Sequence, residues 1–202
     1  MANKVRFGLR KVGYALVTAT DEHGVPTYAE SYKQMPGAVS LSLSVEGGDN
    51  TDFYADDGVY YTFAGTNGGY SAEIEFAYLS DEIRAELLGE VVDETAGIQF
   101  ETTEAKPPIF AMVFETQGDA NPIGFTFYSC KASRPELNAN TQNDSPDVDT
   151  TTLSVRMTAM TLPYKGERQG IVQSHIEKTA ENAAKYAAFF ESVVVPTATV
   201  EP

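Results

Sequence analysis

Tryptophan is absent from the sequence, cysteine occurs once, as Cys130, and histidine twice, as His23 and His175. A single cysteine excludes an intrachain disulfide and a cysteine-rich zinc site, which makes folding in a reducing compartment the simple expectation. Cationic side chains are scarce as well: 14 Lys and Arg stand against 29 Asp and Glu, a formal net charge of -15. Such a charge repels phosphate backbones and argues against a chain that grips nucleic acid. No segment approaches the roughly 18 apolar residues of a membrane span. The basic stretch Met1 to Arg10 is not followed by the apolar run of a secretion signal, so the reading is cytoplasmic synthesis with no membrane partner. The length fits one domain, residues 1–202, with generous loops.

What is present is mostly hydrophobic alternation at a period of two. Val39-Ser40-Leu41-Ser42-Leu43-Ser44-Val45 alternates without a break and predicts a half-buried strand. Tyr70 to Leu79 repeats the pattern, with Ala72, Ile74, Phe76 and Tyr78 on one face. Gly58 to Ala64 is aromatic and β-branched, and Gly65-Thr66-Asn67-Gly68-Gly69 is expected to join it to the next strand as a hairpin, placing these three segments in one sheet. Further strands are expected over Gly13 to Thr20, Ile98 to Thr103, Ile109 to Thr116, Phe125 to Ala132 and Thr151 to Leu162. Together they predict a mainly β fold, an antiparallel sandwich or barrel-like arrangement.

Two helices interrupt the strands. Ser80 can cap a short flanking helix, with Asp81 and Glu82 at its positive end and Gly89 at its stop. A C-terminal helix over about 174–192 is predicted from the stripe Ile176, Ala180, Ala183, Ala187, Phe190 and Val194.

Candidate chemistry is thin. Glu46, Asp49, Asp52, Asp56 and Asp57 form an acidic loop, 46–57, but they lack the alternating ligands and central glycine of an EF-hand, so the loop reads as solvated and not as a calcium site. His23 and His175 have no partner at metal-ligand spacing and read as surface or capping residues. No Gly-x-Ser-x-Gly elbow occurs, and Cys130, within an aromatic strand, reads as a small core residue. Gly65 to Gly69 lacks the lysine and following helix of a phosphate loop. Neither catalysis, a metal nor a cofactor is expected.

Three segments stand out as candidate contacts with other copies. The N-terminal arm, about 1–12, interleaves Lys4, Arg6, Arg10 and Lys11 with Val5, Phe7 and Leu9, a strand-like pattern suited to an acidic surface on another copy. The acidic loop adds Phe53 and Tyr54 to its carboxylates. The long polar loop 133–150, with Arg134, Glu136, Asp144 and Asp147, holds too few apolar residues to order itself alone.

Taken in order, Leu41-Ser42-Leu43-Ser44-Val45-Glu46-Gly47-Gly48 running into Phe53-Tyr54-Ala55-Asp56-Asp57-Gly58, then Leu87-Leu88-Gly89, then Lys106-Pro107-Pro108-Ile109-Phe110-Ala111-Met112-Val113-Phe114, resemble the major tail protein family of long, non-contractile bacteriophage tails. The resemblance extends over roughly residues 1–195 and includes Phe189-Phe190-Glu191-Ser192-Val193. It implies a β-sandwich with a flanking helix, six copies of which close into a ring while rings stack into a tube through which the genome passes. It also implies a place in the virion tail, assembly in the bacterial cytoplasm, and tape-measure, tail terminator and tail-tip proteins as partners. An acidic lumen would let DNA slide without specific binding. A second reading is a carbohydrate-binding or adhesin-like β-sandwich of a phage tail tip, because Val59-Tyr60-Tyr61-Thr62-Phe63 could line a sugar platform; the missing tryptophan speaks against it.

Overall fold

A computed structural model describes residues 3–137, 149–164 and 167–196. In chain order the strands before the first helix are β1 (Arg6–Thr20), β2 (Pro26–Tyr28), β3 (Lys33–Gln34), β4 (Ala38–Gly47), β5 (Thr51–Ala55), β6 (Gly58–Phe63) and β7 (Asn67–Phe76). Helix α1 (Asp81–Leu88) leads to β8 (Val91–Asp93), β9 (Ile98–Phe100), β10 (Phe110–Gly118), β11 (Ile123–Ala132) and β12 (Glu136–Leu137). The chain finishes through β13 (Thr151–Thr158), β14 (Met160–Tyr164), β15 (Glu167–Ile171), β16 (Gln173–Glu177) and helix α2 (Ala183–Ala188).

The fold is mainly antiparallel β, as the alternation predicts. Ten strands form one sheet along the path β2-β1-β10-β11-β13-β7-β4, with β3 on β1, β12 on β13 and β16 on β11. Among the described residues the sheet does not close into a barrel. Strand β10 is the centre of the packing: its alternate residues face opposite ways, and both faces are covered. Phe110, Met112 and Phe114 join Tyr14, Ile74, Phe76, Phe127, Leu153, Met157 and the helix α1 residues Ile83, Leu87 and Leu88 in the main core. Ala111 and Val113 point the other way, to Ala15, Tyr32 and Phe189, with Tyr28, Ile176, Phe190 and Val193 around them. Burial on both faces is why this strand reads as a continuous apolar run and not as an alternation.

Helix α1 matches its sequence signals. Ser80 Oγ accepts a bond from the Ile83 N–H at 3.4 Å, and Gly89 ends the helix with φ 73°, a left-handed conformation that glycine adopts without Cβ strain. Cys130 is fully buried, as its setting suggests, and burial pushes its thiol up.

The C-terminal helix is shorter than the stripe predicts. Residues 173–177 form β16 instead, in register with Phe127 to Ile123 of β11, and His175 lies on a strand against the Phe125 ring. The physical reason is the edge of β11: β13 pairs only with Ser129 to Ala132, so the first half of β11 offers unpaired backbone groups. A turn then intervenes, with the Asn182 side chain accepting from the Thr179 N–H and donating to the Glu177 carbonyl. Helix α2 starts only at Ala183. Ile176 and Phe190 still reach the same small core, one from a strand and the other from just past the helix.

The second correction concerns β6. It does not turn into β7 and does not share its sheet; it pairs back with β5, while β7 pairs with β4 and β13. Gly65 to Gly69 is therefore no hairpin turn. The expected acidic loop is in large part strand: it contains the end of β4, all of β5 and the turn into β6.

Candidate assembly interface

Strands β4 and β7 form a long antiparallel ladder from Ala38↔Phe76 to Gly47↔Asn67, and the β5–β6 hairpin continues beyond its end. The neck between the two ladders is built of glycine. A Cβ at Gly47 would collide with the Thr66 carbonyl oxygen, and one at Gly65 with that of Gly48, so the two backbones approach as closely as glycine alone allows. At the far end, Ala55 pairs with Gly58 around Asp56 (φ 51°) and Asp57 (φ 63°). Two consecutive positive φ values are the signature of a type I′ turn, and aspartate tolerates them better than most residues.

Among the described residues nothing covers the hairpin. Phe53 faces Tyr61 across the ladder, and Phe63 faces Thr51, so Phe53, Tyr61 and Phe63 share one face, with the Tyr61 and Phe63 rings edge to face at 4.9 Å. The opposite face carries Asp52, which accepts a hydrogen bond from the Thr62 hydroxyl at 2.6 Å. Every residue of β6 is exposed, Tyr60 at 73% and Tyr61 at 58%. Aromatic rings thus stand open on both sides of the ribbon, and exposed apolar patches are typical of interaction sites.

At the same end of the sheet lies an apolar cavity of about 410 Å³, walled by Arg6, Phe7, Gly8 and Leu9 of β1 and by Leu41 and Leu43 of β4, and floored by Phe114, Phe125 and Phe127. Among the described residues the first half of β1 pairs with β10 on one side only, and β4 pairs with β7 on one side only. The two strands thus turn unpaired edges toward the seam between them, and unpaired edges invite strand pairing with another chain. Leu43 and Val45 are exposed along this edge. With Val39, which is also exposed, they depart from the expected half-buried strand, of whose apolar residues Leu41 alone is partly buried.

From Arg6 onward the N-terminal arm is a strand, as its pattern suggests. Lys4 donates its N–H to Asp119, Arg6 rests its guanidinium over the Phe125 ring at 5.8 Å, and a bulge at Gly8 turns Phe7 outward over the cavity. Arg10 lies 3.9 Å from Glu115. Lys11 donates to Glu115 at 2.7 Å and spreads over the Phe190 ring at 4.4 Å. Glu115 is 4% exposed and also accepts from the Tyr186 hydroxyl at 2.8 Å. Burial alone would push its carboxyl up, but the Lys11 and Tyr186 hydrogen bonds outweigh it and hold the group below the usual carboxylate range. This cluster fastens β1, β10 and α2 together and was not found from sequence, since its members stand far apart in the chain.

The candidate residues therefore fall into three places. Glu46, Asp49, Asp52, Phe53, Tyr54, Asp56 and Asp57 gather on the projecting hairpin and its neck, all exposed. Arg6 and Phe7 lie on β1 at the seam, Arg10 lies farther along the same strand, and Lys4 lies just before it. Arg134 and Glu136 lie apart from both: Arg134 pairs with Glu101, and Glu136 faces Thr152 across β12 and β13. Asp144 and Asp147 lie outside the described residues. Sequence reasoning missed Tyr60, Tyr61 and Phe63 as part of the hairpin surface; the adjacent Tyr60 and Tyr61, which put aromatic rings on both faces of one strand, were the available signal. It also missed a second exposed apolar hairpin, Val91, Val92, Ile98 and Phe100 on β8 and β9.

No helix among the described residues is long and apolar enough to cross a membrane. Among curated proteins none matched the chain. A family model described as phage tail tube protein matches residues 15–195, a span that takes in both helices, the projecting hairpin and the core sheet except the first part of β1. The chain belongs to the phage tail tube protein family, and so is a structural component of the virion tail.

Proposed function

We propose that this chain closes rings of six that stack into the tail tube, and that the β5–β6 hairpin and the unpaired edges of β1 and β4 are the surfaces through which copies join. The observation that carries the reading is the uncovered aromatic hairpin, held out on a glycine neck by a chain whose family builds tubes. Edge-to-edge joining of sheets around a ring would consume the free strand edges that are otherwise an aggregation hazard. Head-to-tail stacking generates an open filament whose length other components must fix. Tape-measure, tail terminator and tail-tip proteins fill that role in this reading, with assembly in the host cytoplasm. The net charge of -15 suits a conduit, because a lumen poor in Lys and Arg gives DNA no phosphate neutralisation to hold it during ejection.

Negative-stain microscopy of the concentrated protein tests this directly: rings and tubes are expected. Removing residues 48–66, so that Gly47 runs into Asn67, should leave a folded protein that forms no tubes. Tubes of normal appearance from that variant would refute the role of the hairpin.

A further inference from the structure

We infer that the aromatic face of the β5–β6 hairpin, Phe53, Tyr61 and Phe63, seats in the seam cavity between β1 and β4 of a second copy. The inference rests on the proposed self-assembly and names the two surfaces that meet. Two observations support it.

Residues 46–63 contain five carboxylates and no cationic side chain, whereas Arg6 lines the cavity and Lys4 lies just before it; Arg10 and Lys11, farther along β1, are already drawn to Glu115 of their own chain. Two such segments on different copies attract and orient one another, and each repels its own kind. The second observation is shape and polarity. The cavity, at about 410 Å³, falls in the range of about 300–1,000 Å³ typical of sites that engulf a small molecule. Its lining of Leu9, Leu41, Leu43, Phe114, Phe125 and Phe127 matches aromatic rings rather than charged chains.

The test places a photo-reactive benzoylphenylalanine at Tyr61, and in a separate chain at Phe63, and assembles each with isotope-labelled unmodified chains before irradiation. Cross-linked peptides from labelled chains should map to residues 6–9, 41–43 or 114–127. Cross-links that map elsewhere in tubes of normal appearance would overturn this inference and leave the proposed function standing. Failure of the unmodified chain to form tubes would overturn the proposed function itself. The variant L43E needs no probe. Leu43 is partly exposed in the free chain, so a melting temperature close to wild type with loss of tubes is expected, and a normal yield of tubes would overturn the seat.

Discussion

Strand β10 and the β5–β6 hairpin are built from similar material and end in opposite environments. Phe110 to Phe114 is apolar throughout, and every one of these residues is buried. Phe53, Tyr54, Val59, Tyr60, Tyr61 and Phe63 are likewise large and apolar or aromatic and are all more than half exposed. Composition therefore does not decide where a strand lies; the number of surfaces available to cover it does. Strand β10 has α1 and the main core on one side and the C-terminal segment on the other, all supplied by its own chain. The hairpin continues beyond the end of the β4–β7 ladder, where the described residues of its own chain offer no cover.

Phe110→Ala should give the largest effect on the fold, about 3–5 kcal/mol of lost stability, because the ring is fully buried in the main core. Denaturant unfolding checks it. A loss below about 1 kcal/mol would mean that this face of β10 is not sealed.

Glu115→Gln probes the other face. It removes the charge that Lys11 and Tyr186 bind and should cost about 1.5–3 kcal/mol, as for other hydrogen bonds to charged groups. The variant also has a pH signature. The folded carboxyl is held below its ordinary value of 4.5, so the native state gains stability above that value and loses it as pH falls through the depressed folded value. Thermal melts from pH 6 downward should accordingly fall less steeply in the variant than in wild type, and equal slopes would contradict the assignment.

Ser80→Ala, which removes the cap of the helix that covers β10, should cost about 1 kcal/mol. The smallest effect belongs to the hairpin. Tyr61→Ser should change monomer stability by no more than about 0.5 kcal/mol, the range of exposed substitutions. A loss as large as that of Phe110→Ala would erase the contrast between the two strands.

Much of the fold was legible in the sequence, because alternation and caps are local signals. Ser80 and Gly89 bound α1 as expected, and Ala72, Ile74 and Phe76 face the core as the alternation demands. Tyr78 does not, since β7 ends at Phe76. Legibility failed where distant partners decide. The stripe through Ile176 is compatible with a helix, but the open edge of β11 recruits residues 173–177 as a strand. The glycines at 65–69 look like a turn, yet the two aspartates at 56 and 57 make the turn and the glycines make the neck. The candidate site was half visible: the cations of the arm and the acids of the hairpin stood out, whereas the cavity formed by β1 and β4 depends on how the sheet folds over.

The most direct measurement is hydrogen exchange of the amides of residues 51–63 in the free chain and in assembled tubes. Fast exchange in the free chain with strong protection in the tube is predicted, while the amides of β10 stay protected in both. Equal exchange of the hairpin in the two states would contradict the account.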